Sequence, residues 1–421
     1  MVDNPRFYPI LTFESAPSKL AFIIIRFIRS GRSMETKERW PYFGGEIVKA
    51  RFISRPNRFL VYCHGGGGKK IRAFLPNPGR LWELLLPGAT LYLRLDGGRE
   101  GKLSKRKTQH TVVAVERDDR PIFLHTHETN TVARYLLKNA LIPPLQGSSI
   151  VQAEVPVGRS RFDFLLSHKG KELYLEVKSC TLFGNGVAMF PDAVTARGKR
   201  HILKLAEMSR KGIRASVLFI VHHPQVEWFM PDYHTDFDFS TAMLECQRDI
   251  QFIPAAIGWN KDLSLDISKT KVLRIPWSYL KREVKDRGSY LLVVKLLKRA
   301  TIRAGRLPKS VFPAGYYLYV GSAMSGLSSR LARHRRKNKK VHWHIDYLTA
   351  EASGVLPLPI RSSKRQECEI AAALSSIIQP FQKRFGSSDC ECATHLFYSP
   401  MNPLESEDFH QLLQNFRMRA P

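Results

Sequence analysis

Two short runs of alternating residues, 161–166 and 172–178, flank Ser167-His168-Lys169-Gly170-Lys171 and constrain this chain more tightly than any other feature. Side chains alternate across a strand, so Phe162, Phe164 and Leu166 are expected on one face and Asp163 on the other. In the second run Leu173, Leu175 and Val177 alternate with Tyr174, Glu176 and Lys178. The glycine-bearing connection suits a hairpin. If the two apolar faces pair, Asp163, Glu176 and Lys178 emerge together on the opposite face. Two neighbouring carboxylates hold Mg²⁺ or Mn²⁺ with positions open for water and phosphate oxygens, and a lysine beside them orients the attacking water or neutralises developing phosphorane charge.

The Glu-x-Lys spacing has little meaning alone, because it recurs at Glu35/Lys37, Glu100/Lys102 and Glu283/Lys285. Only the copy at Glu176 lies in an alternating apolar strand with an aspartate-bearing strand just upstream. A helix is expected over 194–209, where Arg197, His201 and Lys204 at helical spacing line a phosphate-facing side or a solvated basic one. Residues 215–221 read as a continuous apolar strand behind it.

Charge sets the class of partner. With 66 Lys and Arg against 37 Asp and Glu, the net charge is +29, which attracts polyanions, nucleic acid foremost and anionic membrane second. The apolar stretch at 20–25 is interrupted by Arg26 and Arg29, too short for a membrane helix. Six scattered cysteines, Cys63, Cys180, Cys246, Cys368, Cys390 and Cys392, form neither a disulfide framework nor a C-x-x-C pair and fit a reducing cytoplasm.

A mixed α/β, multi-domain chain is expected. Residues 1–38 read as an N-terminal extension without expected order, with Met34 an alternative start. Residues 39–118 carry short alternating runs between Gly and Pro turns, the pattern of a small β-barrel. Arg51, Arg55, Arg58, Lys69, Lys70 and Arg72, interleaved with Phe52, Phe59, Tyr62 and Phe74, pair phosphates and stack bases, or are core aromatics among solvated charges; Arg80, in the turn at 77–80, is a further candidate nucleic-acid contact. The segment 119–276 holds the hairpin; 277–287 reads as a charged linker, 288–400 as a further domain, and 401–421 as a tail forming a surface helix or none.

Several longer motifs carry a resemblance. Arg51–Phe59, Leu75-Pro-Asn-Pro-Gly-Arg-Leu-Trp-Glu83, Val155–Asp163, Leu175-Glu-Val-Lys-Ser-Cys-Thr181 and Phe190-Pro-Asp-Ala-Val-Thr-Ala-Arg-Gly-Lys-Arg-His201 are similar to the sugar fermentation stimulation protein family (SfsA), from about Arg39 to Pro276. The resemblance implies an N-terminal OB-fold joined to a PD-(D/E)XK nuclease-like core, with Asp163 and Glu176 as metal pair and Lys178 as catalytic lysine. It also implies a rival activity, a non-catalytic DNA-binding regulator of sugar metabolism genes. The intact triad argues for the nuclease.

Beyond Gly288 two tyrosine-bearing strands, 288–294 and 315–323, precede a basic helix from Leu327 to about Arg336. That helix carries Arg330, Arg333 and His334, and contacts phosphate or presents a solvated basic face. The layout resembles the GIY-YIG nucleases of Uri type as an α+β domain. By position Tyr290 and Tyr319 stand for the motif tyrosines, Arg330 for the helix arginine and Glu367 for the metal-binding glutamate, with Glu369 as alternative. The triads read Gly-Ser-Tyr and Tyr-Val-Gly and lie far apart, which departs from that family's pattern. His342 and His344 share a face if extended, or flank a packed Trp343 if helical. Cys390, Cys392 and His395 fall one ligand short of a zinc site, so a turn of buried cysteines is expected there.

Overall fold

The structure, a computed structural model, describes residues 46–96 and 108–420. The N-terminal extension, its apolar stretch and Met34 lie outside these residues. Strands β1 (Ile47–Asn57), β2 (Leu60–His64), β3 (Lys70–Phe74), β4 (Thr90–Leu95) and β5 (His110–Arg117) close into an OB-like barrel, because β3 pairs in parallel with β5 as well as antiparallel with β2. Closure leaves no long free edge. β6 (Arg120–Phe123) extends the sheet from β5. The barrel's aromatics divide: Phe52 is buried, whereas Phe59 stays 48% exposed and stacks on Phe74 at 6.3 Å.

Next come helix α1 (Thr129–Lys138), β7 (Ser148–Val157), β8 (Ser160–His168) and β9 (Lys171–Cys180). The expected hairpin is present, with His168 opposite Lys171. Its two connecting residues, Lys169 (φ 52°) and Gly170 (φ 71°), are both left-handed, which gives the turn the twist that paired strands need. Then follow β10 (Leu182–Gly184), β11 (Val187–Phe190), α2 (Ala196–Arg210), β12 (Arg214–Val221), β13 (Trp228–Pro231), α3 (Phe237–Glu245), β14 (Gln251–Trp259) and β15 (Leu265–Val272). The main sheet runs β15-β14-β12-β9-β8-β7. β12 pairs in parallel with both β9 and β14, and its residues 215–221 are buried on both faces, which accounts for its apolar run. Burying one large side chain there, such as Phe219, contributes about 1.5–3 kcal/mol. Helix α2 begins at Ala196 because Thr195 caps it, its hydroxyl accepting from Gly198 N at 3.0 Å.

The segment read as a charged linker holds helix α4 (Trp277–Glu283), which buries Leu280. The remaining strands are β16 (Gly288–Leu296), β17 (Ala300–Ile302), β18 (Ser310–Phe312), β19 (Gly315–Ala323), β20 (Gly354–Arg361), β21 (Gln379–Pro380) and β22 (Leu396–Ser399). Among them lie helices α5 (Leu327–Arg335), α6 (His344–Glu351), α7 (Glu367–Ser375) and α8 (Glu407–Arg417). The antiparallel sheet β20-β16-β19-β22-β21 is covered on both faces. Leu291 and Val293 of β16 pack with Ile370 of α7 and Phe409 of α8; Tyr290, Leu292 and Val294 pack with Leu327 of α5 and Ile345 of α6.

The tail is therefore a packed helix whose Phe409, Leu412 and Leu413 complete one face of this sheet. Buried polar contacts join it to the preceding core. Arg361 of β20 donates to the carbonyls of Tyr233 (2.9 Å) and His234 (2.7 Å), and the His234 ring Nε2 lies 3.0 Å from the Arg417 carbonyl of α8. Among the described residues no helix is long and apolar enough to cross a membrane.

Candidate functional site

The first site lies where β8 and β9 stop pairing. Their register is regular from His168↔Lys171 to Phe164↔Leu175, and beyond it the Asp163 carboxylate accepts from Val177 N at 2.7 Å. Its other oxygen accepts from Asn130 of α1 at 2.8 Å. Strict alternation fails here: Phe164 lies under Arg134 of α1, whereas Phe162 meets Tyr174 and His201 on the side of α2. The departure turns Asp163 toward the end of β9 without separating it from Glu176 and Lys178.

Glu176 is 3% exposed. Its Oε1 accepts from His201 Nδ1 at 2.6 Å and from the Lys178 ammonium, while Oε2 is buried without a partner. Burial alone would raise its pKa, but the His201 hydrogen bond and Lys178 outweigh that and bring it below the ordinary carboxylate value. Asp163 moves the other way, raised by burial and then by the charge of Glu176. Two crowded carboxylates with one free buried oxygen match the hard-oxygen donor set of a divalent cation.

His201 is thus an inward-facing partner of Glu176, 5% exposed, which corrects its expected role as a phosphate contact. Arg197 is exposed, and Lys204 pairs with Glu207, so α2 does not present the continuous basic face expected of it. Arg55 is committed as well. Its guanidinium donates to the carbonyls of Asn77, Gly79, Arg80 and Arg58, clamping the 77–80 turn, so its terminal nitrogens are already occupied. Arg58 is exposed and Arg80 stacks on Trp82 at 4.9 Å. Both line a cleft with Trp82, Val194 and Leu404, apart from the Asp163 cluster.

A second cleft in the C-terminal region gathers Tyr290, Tyr319, Arg330, Trp343 and Glu367. A Cβ at Gly321 would lie 2.5 Å from the Tyr290 hydroxyl, so only glycine leaves room for that ring in the Tyr-Val-Gly triad. The Tyr290 hydroxyl is 2.9 Å from His334 Nε2. Burial is the main cause that brings His334 down to about 4, so it is neutral at pH 7. For Asp346, burial opposes ionisation, but hydrogen bonds from Arg333 and the backbone of Trp343 and His342 prevail and hold it at about 2. Its Oδ1 is 3.8 Å from His334 Nδ1, beyond hydrogen-bond reach, so Nδ1 is buried without a hydrogen-bond partner. Arg330 stacks on Trp343 at 4.1 Å. Arg333 is consumed by Asp346, at 2.9 and 3.0 Å, which corrects its expected role as a nucleic-acid contact. Glu367 accepts from Ser322 at 2.5 Å and lies 3.2 Å from His395 Nδ1, whereas Glu369 is outside the cleft near Arg419. The segment at 342–346 follows neither alternative throughout: His342 and Trp343 precede α6, with Trp343 extended and its N donating to Asp346, and only 344–346 are helical. Asn130, Ser322 and Trp343 had no motif to mark them; their contacts arise only in the folded chain.

A closed OB-like barrel, a mixed α/β core with a carboxylate–lysine cluster and an appended antiparallel α+β region define the class. The family models agree with this division. Residues 53–124 match the SfsA N-terminal OB domain, 127–262 the sugar fermentation stimulation protein RE domain and 289–418 the domain of unknown function DUF123, which takes in α8. The chain belongs to the sugar fermentation stimulation protein family. It is 32% identical over 231 residues to the sugar fermentation stimulation protein homolog of Methanothermobacter thermautotrophicus, covering 55% of this chain and 94% of that one. The homolog of Moorella thermoacetica is 41% identical over 200 residues, covering 47% and 84%. A solved structure of Pyrococcus furiosus SfsA in complex with Ca²⁺ superimposes with a TM-score of 0.50 at 26% identity, covering 55% of this chain and 96% of that one.

Proposed function

We propose that this chain is a metal-dependent nuclease that hydrolyses phosphodiester bonds of DNA or RNA, with the SfsA-type core as catalyst and the DUF123 region as a second, GIY-YIG-like nuclease. The observation that carries the reading is the meeting of Asp163, Glu176 and Lys178 at one strand end, with Glu176 Oε2 buried and unpartnered. The Ca²⁺ complex of the Pyrococcus furiosus relative supports an oxygen-ligated cation in this fold. When bound, Mg²⁺ or Mn²⁺ supplies Lewis-acid polarisation of a phosphate oxygen and an acidified water.

The chain's own groups do the rest. Asp163 and Glu176 hold the cation, Asn130 and Val177 N fix Asp163, and His201 fixes Glu176. Lys178 carries the positive charge that balances the developing phosphate charge. Exposed Arg58, Arg197 and Phe59, with half-buried Arg80, dock the backbone and its bases. In the second cleft Tyr290 takes a proton from the attacking water as its own passes to Nε2 of neutral His334, Arg330 faces the phosphate and Glu367 is the metal carboxylate.

The test is a panel of Mg²⁺, Mn²⁺ and Ca²⁺ on end-labelled DNA and RNA, with the parent, Asp163→Asn, Lys178→Ala and Glu367→Gln. Cleavage should vanish from the core in the first two variants while salt-sensitive binding survives. Binding without metal-dependent product from the parent on any substrate would instead establish the DNA-binding regulator.

A further inference from the structure

Outside both clefts, the chain brings together donors that are far apart in sequence. Cys368 is the second residue of α7, directly after Glu367, while Cys390, Cys392 and His395 belong to the segment leading into β22. The three sulfurs and a ring nitrogen of His395 all lie within 4.8 Å of one another, with Cys390 Sγ 3.4 Å from His395 Nε2. Cys368 is exposed and Cys390 and Cys392 half-buried, which corrects the expectation of a turn of buried cysteines and supplies the missing fourth ligand.

We propose that Cys368, Cys390, Cys392 and His395 form a structural zinc site. Bond lengths of about 2.3 Å to sulfur and 2.0–2.1 Å to nitrogen imply ligand–ligand edges of roughly 3.4–3.8 Å in a tetrahedron. The observed cluster therefore needs a contraction of about 1 Å or less, within reach of cysteine rotamers. Three thiolates and an imidazole are the soft, closed, four-ligand set that selects zinc over the hard cations suited to Asp163 and Glu176. All six cysteines are unpaired, so no disulfide competes for these sulfurs.

The orientation of His395 adds a second observation. Its Nε2 faces Cys390 while its Nδ1 lies 3.2 Å from Glu367 Oε1, so a small turn of the ring on metal binding completes the carboxylate–histidine arrangement that fixes the tautomer of a metal-bound imidazole. The site fastens the 385–395 segment to the start of α7 and holds Glu367 in its cleft. It does not depend on the nuclease reading, because its ligands and its readout are separate from catalysis.

The experiment uses the full chain carrying Asp163→Asn, to weaken the core cation site, purified under reductant with zinc in the medium. Elemental analysis should find about one zinc per chain. Cobalt substitution should give thiolate-to-metal charge-transfer bands with strong tetrahedral ligand-field bands. Cys390→Ser or Cys392→Ser should remove zinc and bands together, Cys63→Ala should keep both, and Glu367→Gln should weaken zinc retention about 10–100-fold by loosening His395. The cobalt spectrum of the otherwise intact chain keeps the test decisive even where a cysteine variant misfolds. A chain without zinc and without thiolate bands, zinc that survives both serine variants, or a disulfide among the three cysteines under reductant would each overturn the proposal.

Discussion

Replacing His201 with alanine isolates the contact that keeps Glu176 ionised in a buried position. The variant loses the 2.6 Å hydrogen bond to Glu176 Oε1 and the edge contact of its ring with Phe162 at 5.6 Å. Lys178 remains, so the carboxylate is not stranded entirely. A hydrogen bond to a charged group contributes about 1.5–3 kcal/mol, and the ring contact about 0.5–1.5 kcal/mol. The expected loss for the metal-free protein at pH 7 is about 2–4 kcal/mol, at least a 30-fold change in folding equilibrium. The sign with pH follows from Glu176, whose pKa lies below its ordinary 4.5 in the folded parent. Its stabilisation is full above 4.5 and is lost as pH falls through the lower folded value. In the variant burial prevails and the folded pKa rises, so parent and variant should converge as pH drops below 4.5. Urea unfolding followed by tryptophan fluorescence, with chelator present, measures this, and the midpoint should fall by roughly 1 M. His201→Gln, which keeps a donor, should recover part of the loss. A pH 7 difference below about 0.5 kcal/mol, or one that does not change with pH, would refute the view that His201 acts through Glu176.

Arg361→Ala should cost about 2–4 kcal/mol, because it leaves the carbonyls of Tyr233 and His234 buried without a donor; the measurement is chemical unfolding, with α8 expected to release first. Acid should destabilise the chain between pH 6.5 and about 4, because burial lowers His125, His223 and His334 to about 4 and His222 to about 3. The unfolded chain takes up protons there that the folded chain refuses, so stability falls with falling pH; a flat unfolding profile across this window would contradict it. Tyr290→Phe should suppress metal-dependent cleavage by the C-terminal region in an Asp163→Asn background while leaving binding unchanged, as read by end-labelled product and filter retention.

Much of the core could be read from periodicity. Alternation in 161–178 located the hairpin, and its left-handed Lys169-Gly170 turn is what a short glycine connection permits. What could not be read was the break at Asp163, since the carboxylate replaces a backbone partner for Val177 N and nothing in a one-dimensional pattern marks such an exchange. The linker was misread because it buries few apolar residues among many charges, and Leu280 in α4 looks isolated until the surface that receives it is assembled. The tail's packing was missed although Phe409, Leu412, Leu413 and Phe416 of α8 have the i, i+3, i+4, i+7 spacing of a helix with one apolar face. The zinc ligands were hidden for a related reason: Cys368 joins Cys390 and Cys392 only through the packing of α7 beside β22, across a stretch with no motif spacing of its own.

On the proposed reading both clefts meet the same physical difficulty, holding a metal carboxylate correctly in a chain of net charge +29. An unrestrained glutamate on such a surface would be drawn to any of 66 Lys and Arg side chains, and a mobile ion pair would spoil its geometry. In each site a histidine that is itself packed behind the carboxylate takes one oxygen: His201 for Glu176 Oε1 and His395 for Glu367 Oε1. Each ring is almost wholly buried, so it cannot follow the carboxylate into solvent and fixes its rotamer instead. The other oxygen differs between them. Glu176 Oε2 has no partner, and Glu367 Oε2 holds only the Ser322 hydroxyl. A cation entering the core meets an oxygen already stripped of competitors, whereas one entering the C-terminal cleft must first displace or share a hydroxyl hydrogen bond. The core should therefore bind its cation the more tightly of the two, and isothermal titration of Mn²⁺ into Glu367→Gln against Asp163→Asn ranks them directly. The reverse order would show that burial of Glu176, and not the freedom of its second oxygen, dominates the cost of loading the site.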